Sequence, residues 1–312
     1  MSREKQLSCL YTLSSRGSRN YRRVTIDKKD GGSRTLLVPC SLLKGVQRNI
    51  LHHVLDERPV SPCAQAYRKG TDIRGNASCH LGKKLVLKLD ISHFFDSILF
   101  PRVYGAAFPE TLFPPAAAML LTSLCCCNER LPQGSPASPA ISNLVMRPFD
   151  IYMDGWCRER GIAYTRYCDD MTFSGDFDAA ALCSKVRSYL EAMGFTLNEK
   201  KTKLLTGDVR QSVTGIVVND KLQVSREYRK KLRQEVYYCK KYGIDAHLER
   251  VEADTGIRWE KERYICSVQG RLRFVLQVNP QDDEFAGYCR EWKELFMYCL
   301  LYTSDAADDT PC

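Results

Sequence analysis

No stretch of this sequence is apolar for long enough to span a bilayer. Its first twenty residues, MSREKQLSCLYTLSSRGSRN, are polar and basic and lack the apolar core of a secretory leader. Membrane and secreted classes are therefore not expected, and the expected location is the cytoplasm. No two of the fifteen cysteines stand three residues apart, so the paired spacing of a zinc site is missing. The cysteines read instead as small buried hydrophobes in a reducing compartment, with Cys125, Cys126 and Cys127 in a strand. There is no internal repeat. Apolar residues are not scarce: 44% hydrophobic against 27% charged is enough for a buried core and argues against disorder over the 312 residues, a length that suits two or three lobes.

The pattern along the chain mixes both regular structures. Residues 21–38, YRRVTIDKKDGGSRTLLV, read as two strands around an Asp-Gly-Gly turn ringed by Arg22, Arg23, Lys28, Lys29 and Arg34. Leu42, Val46, Ile50 and Val54 are spaced four apart, which predicts a helix over 41–56. KLVLKLDI (84–91) is a strand that ends in an acid, and 101–125 is helical in composition but broken by Pro109, Pro114 and Pro115. LPQGSPASP (131–139) is a loop, followed by an amphipathic helix from about Ala140 to Arg160. A hairpin over 162–175, a helix over 178–193, a turn and strand over 194–206 and the strand SVTGIVV come next. Ser225 is the expected N-cap of a helix that runs to about Tyr242 and buries a face of Tyr228, Leu232 and Val236. These elements by themselves support an α+β class.

Three acids carry the chemistry. Asp90 closes a strand rich in Leu and Val; Asp169 and Asp170 sit at the bend of a hairpin. Adjacent carboxylates with apolar flanks are costly to bury unless a cation compensates them. Two Mg²⁺ ions on hard oxygen ligands would do so and would supply phosphoryl-transfer chemistry. An isolated Asp-Asp pair in a hairpin is ordinarily only a turn. Here it stands in Tyr-Cys-Asp-Asp between strands, with Asp-Ile-x-x-Phe-Phe upstream, and that combination is specific.

YCDD resembles the YxDD box of reverse transcriptases. KLDISHFFDSI is similar to their first palm motif, LPQGSPASP to their nucleotide-pocket loop and GFTLNEKKTKL to their lysine-bearing motif, in the family's order over roughly residues 20–280. The resemblance implies a right-hand polymerase fold with fingers, an antiparallel-sheet palm and a helical thumb. It places an N-terminal region and fingers in 1–85 and a palm in 86–212 with a fingers segment at about 100–135. The thumb then takes 213–300; the acidic tail 301–312 is set aside as non-native. It assigns Asp90, Asp169 and Asp170 to metal binding with the Ile91 carbonyl, and Phe95 to a steric gate that prefers dNTPs. Gln133 falls at the incoming nucleotide, Lys201 beside the leaving pyrophosphate as a candidate general acid, and Lys28 and Arg34 on the triphosphate.

Two shorter boxes narrow the family. Asn76-Ala77-Ser78-Cys79-His80 resembles the NAxxH box of retron reverse transcriptases, and Val213-Thr214-Gly215 their VTG box. The resemblance implies an enzyme that binds a dedicated structured non-coding RNA and copies it into msDNA from the 2′-hydroxyl of an internal guanosine. A host RNase H would trim the template, and an effector protein would complete an anti-phage system. Residues 199–241 hold twelve Lys/Arg against five Asp/Glu, so most of the +9 net charge falls there. Arg226, Lys230 and Arg233 are accordingly expected to bind RNA, together with Asn76, His80, Val213, Thr214 and Gly215. The competing expectations are a reverse transcriptase of a group II intron or of a diversity-generating element, and a catalytically silent RNA-binding protein of the same fold. The short C-terminal region, without room for a maturase, HNH or RNase H domain, favours the retron expectation over the other reverse transcriptases, and the intact Asp90, Asp169 and Asp170 favour it over the silent protein.

Overall fold

A computed structural model describes residues 2–27 and 31–304. Among them the chain divides into two compact units, one up to Val209 and one from Arg210. Each follows its own logic of burial.

The first unit begins with α1 (Arg3–Arg16), started by Ser2, whose hydroxyl accepts from the Lys5 amide. The predicted hairpin is present: β1 (Tyr21–Asp27) pairs antiparallel with β2 (Ser33–Pro39), from Tyr21 opposite Pro39 to Asp27 opposite Ser33. The turn residue Lys28 lies outside the described residues. Helix α2 (Ser41–Ile50) buries Leu43, Gln47 and Ile50, and its last turn widens into a π-type turn at Leu51–Leu55. Helix α3 (Ile73–Ser78) is capped by Asp72, which accepts from the Gly75 amide at 2.6 Å.

The centre of this unit is a four-stranded antiparallel sheet of β3 (Leu85–Asp90), β4 (Ala163–Tyr167), β5 (Asp170–Gly175) and β6 (Lys203–Thr206), in the order β4-β5-β3-β6. Val86, Leu87 and Leu89 of the inner strand β3 are all but fully buried. At about 2 kcal/mol per buried leucine-sized side chain, that strand alone secures the end on which Asp90 sits. Against the sheet lies α6 (Ser138–Arg158), with Phe149 edge-on to Tyr164 and Tyr164 stacked on Phe173, and α7 (Ala179–Ala192) packs on α6 through Tyr189 against Phe149.

The prolines divide 100–125 as the sequence suggests, into α4 (Phe100–Ala107) and α5 (Pro115–Cys125). The expected strand at Cys125–Cys127 is corrected: Cys125 ends α5, Cys126 caps it, and only Cys127 makes an isolated bridge, to Arg130. The run AAAMLLTSL carries the helix into the cysteines, and the chain then reverses through Asn128 and Glu129, both at positive φ. The three thiols are nevertheless buried, and burial raises the pKa of each.

The second unit opens with a small sheet of β7 (Ser212–Val213), β8 (Ile216–Val217) and β9 (Gln223–Val224). Val213 pairs with Ile216, leaving Thr214 and Gly215 as a two-residue turn, both at positive φ. That is the requirement of a tight primed hairpin, and it explains the glycine of the Val-Thr-Gly box. Four helices follow: α8 (Arg226–Tyr242), α9 (Ile244–Thr255), α10 (Lys261–Val278) and α11 (Asp283–Ser304). Ser225 caps α8 by accepting from the Tyr228 amide, and Leu232 and Val236 are buried beneath it. No helix among the described residues is long and apolar enough to cross a membrane.

Candidate active site

The sheet brings the three acids to one edge. Asp90 closes β3 directly opposite Asp170, the first residue of β5, and Asp170 in turn faces Tyr167 of β4. Cys168 and Asp169 make the turn between β4 and β5, with Cys168 in the left-handed region at φ 62°. The Ile91 amide donates to the Asp169 carbonyl at 3.2 Å, which ties the turn to the end of β3.

Asp90 is buried and its charge is met from one side. Lys201 donates to Oδ2 at 2.8 Å and the Asn198 amide group to Oδ1 at 3.1 Å, while the Asn198 backbone N–H donates to the Asp90 carbonyl at 2.8 Å. The bond to Asp90 raises the Lys201 pKa above the ordinary lysine value. The Asp170 carboxyl is pushed up to about 6, first by partial desolvation and then by the negative charges of Asp169 and Asp90, against the pull of Lys88 and Lys201. Asn198 was not singled out in the sequence; its only signal is its place three residues before Lys201 in the same turn.

A cavity of about 460 Å³ opens beside these acids. Its wall includes Arg34, Asp90, Ile91, Phe95, Gln133, Asp169 and Lys201, residues from distant parts of the sequence. Asp170 borders this region on β5 without lining the cavity. The two adjacent phenylalanines both line the cavity and differ in depth. Phe94 is buried against Phe195, with ring centres 5.8 Å apart, whereas Phe95 meets it edge-on and is half-buried at the cavity wall.

Gln133 is held by its backbone: its carbonyl accepts from the Leu37 amide of β2 at 2.7 Å. Gly134 follows at φ 121°, and a Cβ there would stand 2.8 Å from the Leu37 carbonyl, so only glycine fits. Ser135 donates to Gln47, whose amide nitrogen donates to the Leu124 carbonyl and the Tyr21 hydroxyl. The loop is thus fastened to hairpin and helix together.

Among the described residues no set of three or more His, Cys, Asp or Glu side chains converges closely enough to enclose an ion unaided. The donor set still fits a hard divalent cation. It consists of carboxylates with a backbone carbonyl, the charge of Asp90 already attracts an ammonium group, and Asp169 and Asp90 raise the Asp170 pKa. Mg²⁺ takes a few protein oxygens and fills the remainder with water and substrate phosphate, so an open site suits it.

The residues expected to touch RNA separate into two groups. His80 is fully buried, one ring nitrogen 2.7 Å from the Ser174 hydroxyl and the other 2.8 Å from that of Thr165. Asn76 and Val213 are buried as well. His80 is thereby held on the sheet, and Val213 precedes the Thr214–Gly215 turn. Arg226 and Lys230 are exposed on α8, but Arg233 pairs with Glu284, with Nη2 2.8 Å from Oε2, and Arg229 meets Asp282 at 2.6 Å. Glu284 is held down to about 2 by Arg233 and Arg229.

Compared with known proteins, residues 26–242 match the family of reverse transcriptases (RNA-dependent DNA polymerases). The chain belongs to the reverse transcriptase family. Within it, this reverse transcriptase is of the retron type. It is 35% identical to the retron Mx65 reverse transcriptase of Myxococcus xanthus, over 85% of this chain and 63% of that one. It is 32% identical to the retron Ec86 reverse transcriptase of Escherichia coli, over 84% of this chain and 77% of that one. The chain therefore spans just under two thirds of the first relative's length and about three quarters of the second's. Among solved structures, telomerase from Candida albicans, in complex with a TWJ fragment of telomeric RNA, aligns with a TM-score of 0.50 at 9% identity. The match covers 89% of this chain and 63% of that one. The fold is accordingly the right-hand polymerase fold, α+β with an antiparallel sheet, and family membership brings dependence on a divalent metal.

Proposed function

We propose that this reverse transcriptase copies a dedicated structured non-coding RNA into msDNA, primed from the 2′-hydroxyl of an internal guanosine. The observation that carries the polymerase reading is the single cavity lined by Arg34, Phe95, Gln133, Asp90, Asp169 and Lys201. The step to msDNA rests on the retron relatives.

In this reading Asp90, Asp169, Asp170 and the Ile91 carbonyl hold two Mg²⁺ ions, which would supply activation of the attacking hydroxyl and neutralisation of the departing pyrophosphate. Arg34 and Gln133 orient a dNTP in the cavity, and Lys28 is assigned to the triphosphate with Arg34. The Phe95 ring lies under the sugar and leaves no room for a 2′-hydroxyl. Lys201, already protonated and bound to Asp90, is placed to donate a proton to the leaving pyrophosphate. The second unit serves as the thumb, with the exposed basic residues of α8, and the Thr214–Gly215 turn at its start, facing the RNA.

The partners in this scheme are the cognate RNA, its DNA product, dNTPs, a host RNase H that trims the template and an effector protein. The setting is anti-phage defence in a bacterial cytoplasm, where thiols such as those of Cys63, Cys125 and Cys157 stay reduced. Primer extension on an RNA template with Mg²⁺ tests the core of this reading. Activity is expected from the natural chain and none from Asp169→Asn combined with Asp170→Asn. Persistent synthesis by that double variant would refute the site.

A further inference from the structure

We infer that Arg166 is a positioning residue: its buried guanidinium holds the Cys168 carbonyl and thereby sets where Asp169 stands. The inference rests on the polymerase reading above.

Arg166 lies in β4 with no exposed surface. Its Nε donates to Asp150 Oδ1 at 2.9 Å and its Nη2 to Asp150 Oδ2 at 2.6 Å, a two-pronged pair with a carboxylate of α6 that is itself fully buried. The remaining terminal nitrogen, Nη1, donates to the Asn143 side-chain carbonyl at 3.2 Å and to the Cys168 carbonyl at 2.9 Å. The backbone of Arg166 is clamped too, since its amide donates to the Cys63 carbonyl and its carbonyl accepts from the Gln65 amide, each at 2.8 Å. Asn143 in turn donates to the Ala66 carbonyl.

Stability does not explain this arrangement. Desolvating two charges costs so much that an apolar pair of similar volume commonly serves a fold as well or better. What the pair provides is direction. Cys168 is a non-glycine residue in the left-handed region, a conformation that persists only where the surroundings impose it. The turn is imposed from two sides: Arg166 grips the carbonyl before Asp169, and the Ile91 amide grips the carbonyl of Asp169 itself. The planar fork of arginine can hold Asp150 and Cys168 at once, which a lysine ammonium at the same depth cannot do. Asn143 and Asp150 both belong to α6, the helix that begins at the end of the loop bearing Gln133. One guanidinium thus ties the metal-binding turn to the helix behind the nucleotide pocket.

The experiment compares three variants with the natural chain, each first shown to be folded by thermal melting. In Arg166→Met with Asp150→Asn both charges are gone and Tyr164 keeps an acceptor. The expected result is a kcat about 10²-fold lower, with dNTP KM and RNA affinity within about threefold, as for a small misplacement of a reacting group. Asp150→Asn alone keeps the bond to Cys168, so its kcat should stay within about threefold of the natural value even where its melting temperature falls. Arg166→Lys keeps a cation for Asp150 and loses the fork; its kcat should fall with that of the double variant. A folded double variant with natural kcat overturns the inference, as does a loss in Asp150→Asn equal to that of the double variant. Should the double variant not fold, an unchanged kcat in Arg166→Lys overturns it instead. If the natural chain itself makes no DNA on an RNA template, the polymerase reading fails, and that outcome is distinct from all of these.

Discussion

The Lys201 ammonium stands 2.8 Å from Oδ2 of Asp90, joining the turn after α7 to the end of β3. It is the cation on which Asp90 leans, and it lines the cavity where a pyrophosphate would leave. Lys201→Met is therefore expected to lower single-turnover dNTP incorporation about 10²-fold, within the ordinary range for loss of a general acid. Lys201→Arg should lose less, because the charge beside Asp90 remains. Equal rates for all three proteins would remove Lys201 from the chemistry.

Phe94 and Phe95 are neighbours with separable consequences. Phe95→Val should relax discrimination against ribonucleotides by at least about tenfold, with a smaller loss of melting temperature than Phe94→Val, because Phe95 is only half-buried. Phe94→Val removes packing against Phe195 and should cost about 2 kcal/mol of stability, somewhat less than the roughly 3–5 kcal/mol of truncating a buried aromatic to alanine. Competition between dNTP and NTP in primer extension, read beside thermal melts, separates them. If the selectivity loss follows Phe94 instead, the gate has been assigned to the wrong ring.

His80 makes stability depend on pH. Burial lowers its imidazole from the ordinary 6.5 to about 4, so the unfolded chain binds this proton more readily than the folded one. The contribution is intact above about pH 6.5, declines as the pH falls, and is lost by pH 4. At pH 5 the loss is about 2 kcal/mol from this group alone. Urea unfolding at pH 7.5 and pH 5.0 measures it, and His80→Asn should show a smaller difference between the two. An identical difference in the variant would mean that other groups carry the acid sensitivity.

The basic face of α8 is narrower than its composition. Arg229 and Arg233 are engaged by Asp282 and Glu284, so reversing Arg233 would break an ion-paired network as well as any RNA contact. Arg226, Lys230 and Lys231 are exposed. Changing these three to Glu should weaken RNA binding at least tenfold at 0.15 M salt and flatten its salt dependence, with the melting temperature preserved. Filter binding over a salt series is the measurement; unaltered affinity would show that the RNA lies elsewhere.

Much of this was legible because it is local. Ser225 announces α8 one residue before it begins, the prolines mark the gap between α4 and α5, and the alternation around Tyr-Cys-Asp-Asp yields the β4–β5 turn. Three features were less legible, each for its own reason. The helix α1 rests on an unremarkable Ser2 cap and a half-polar sequence with little periodicity to read. The triple cysteine has strand-like composition but follows a run of strong helix formers, and the helix propagates into it. His80 and Asn76 are polar residues in a recognisable box. Only the packing of Ser174 and Thr165 around the imidazole reveals an interior role for His80, and those partners are more than eighty residues away in sequence. Arg166 belongs with these: its carboxylate and carbonyl partners are ordinary residues until the sheet and α6 bring them together.

The bond from the Leu37 amide to the Gln133 carbonyl, with Gly134 pressed on the same strand, has a bearing on how such enzymes can be recombined. Arg34 lies three residues before Leu37 on β2, so a chimaera that imports the hairpin without the 131–139 loop inherits two halves of a pocket cut to different patterns. Hairpin and loop form one exchangeable cassette, although almost a hundred residues separate them in the gene.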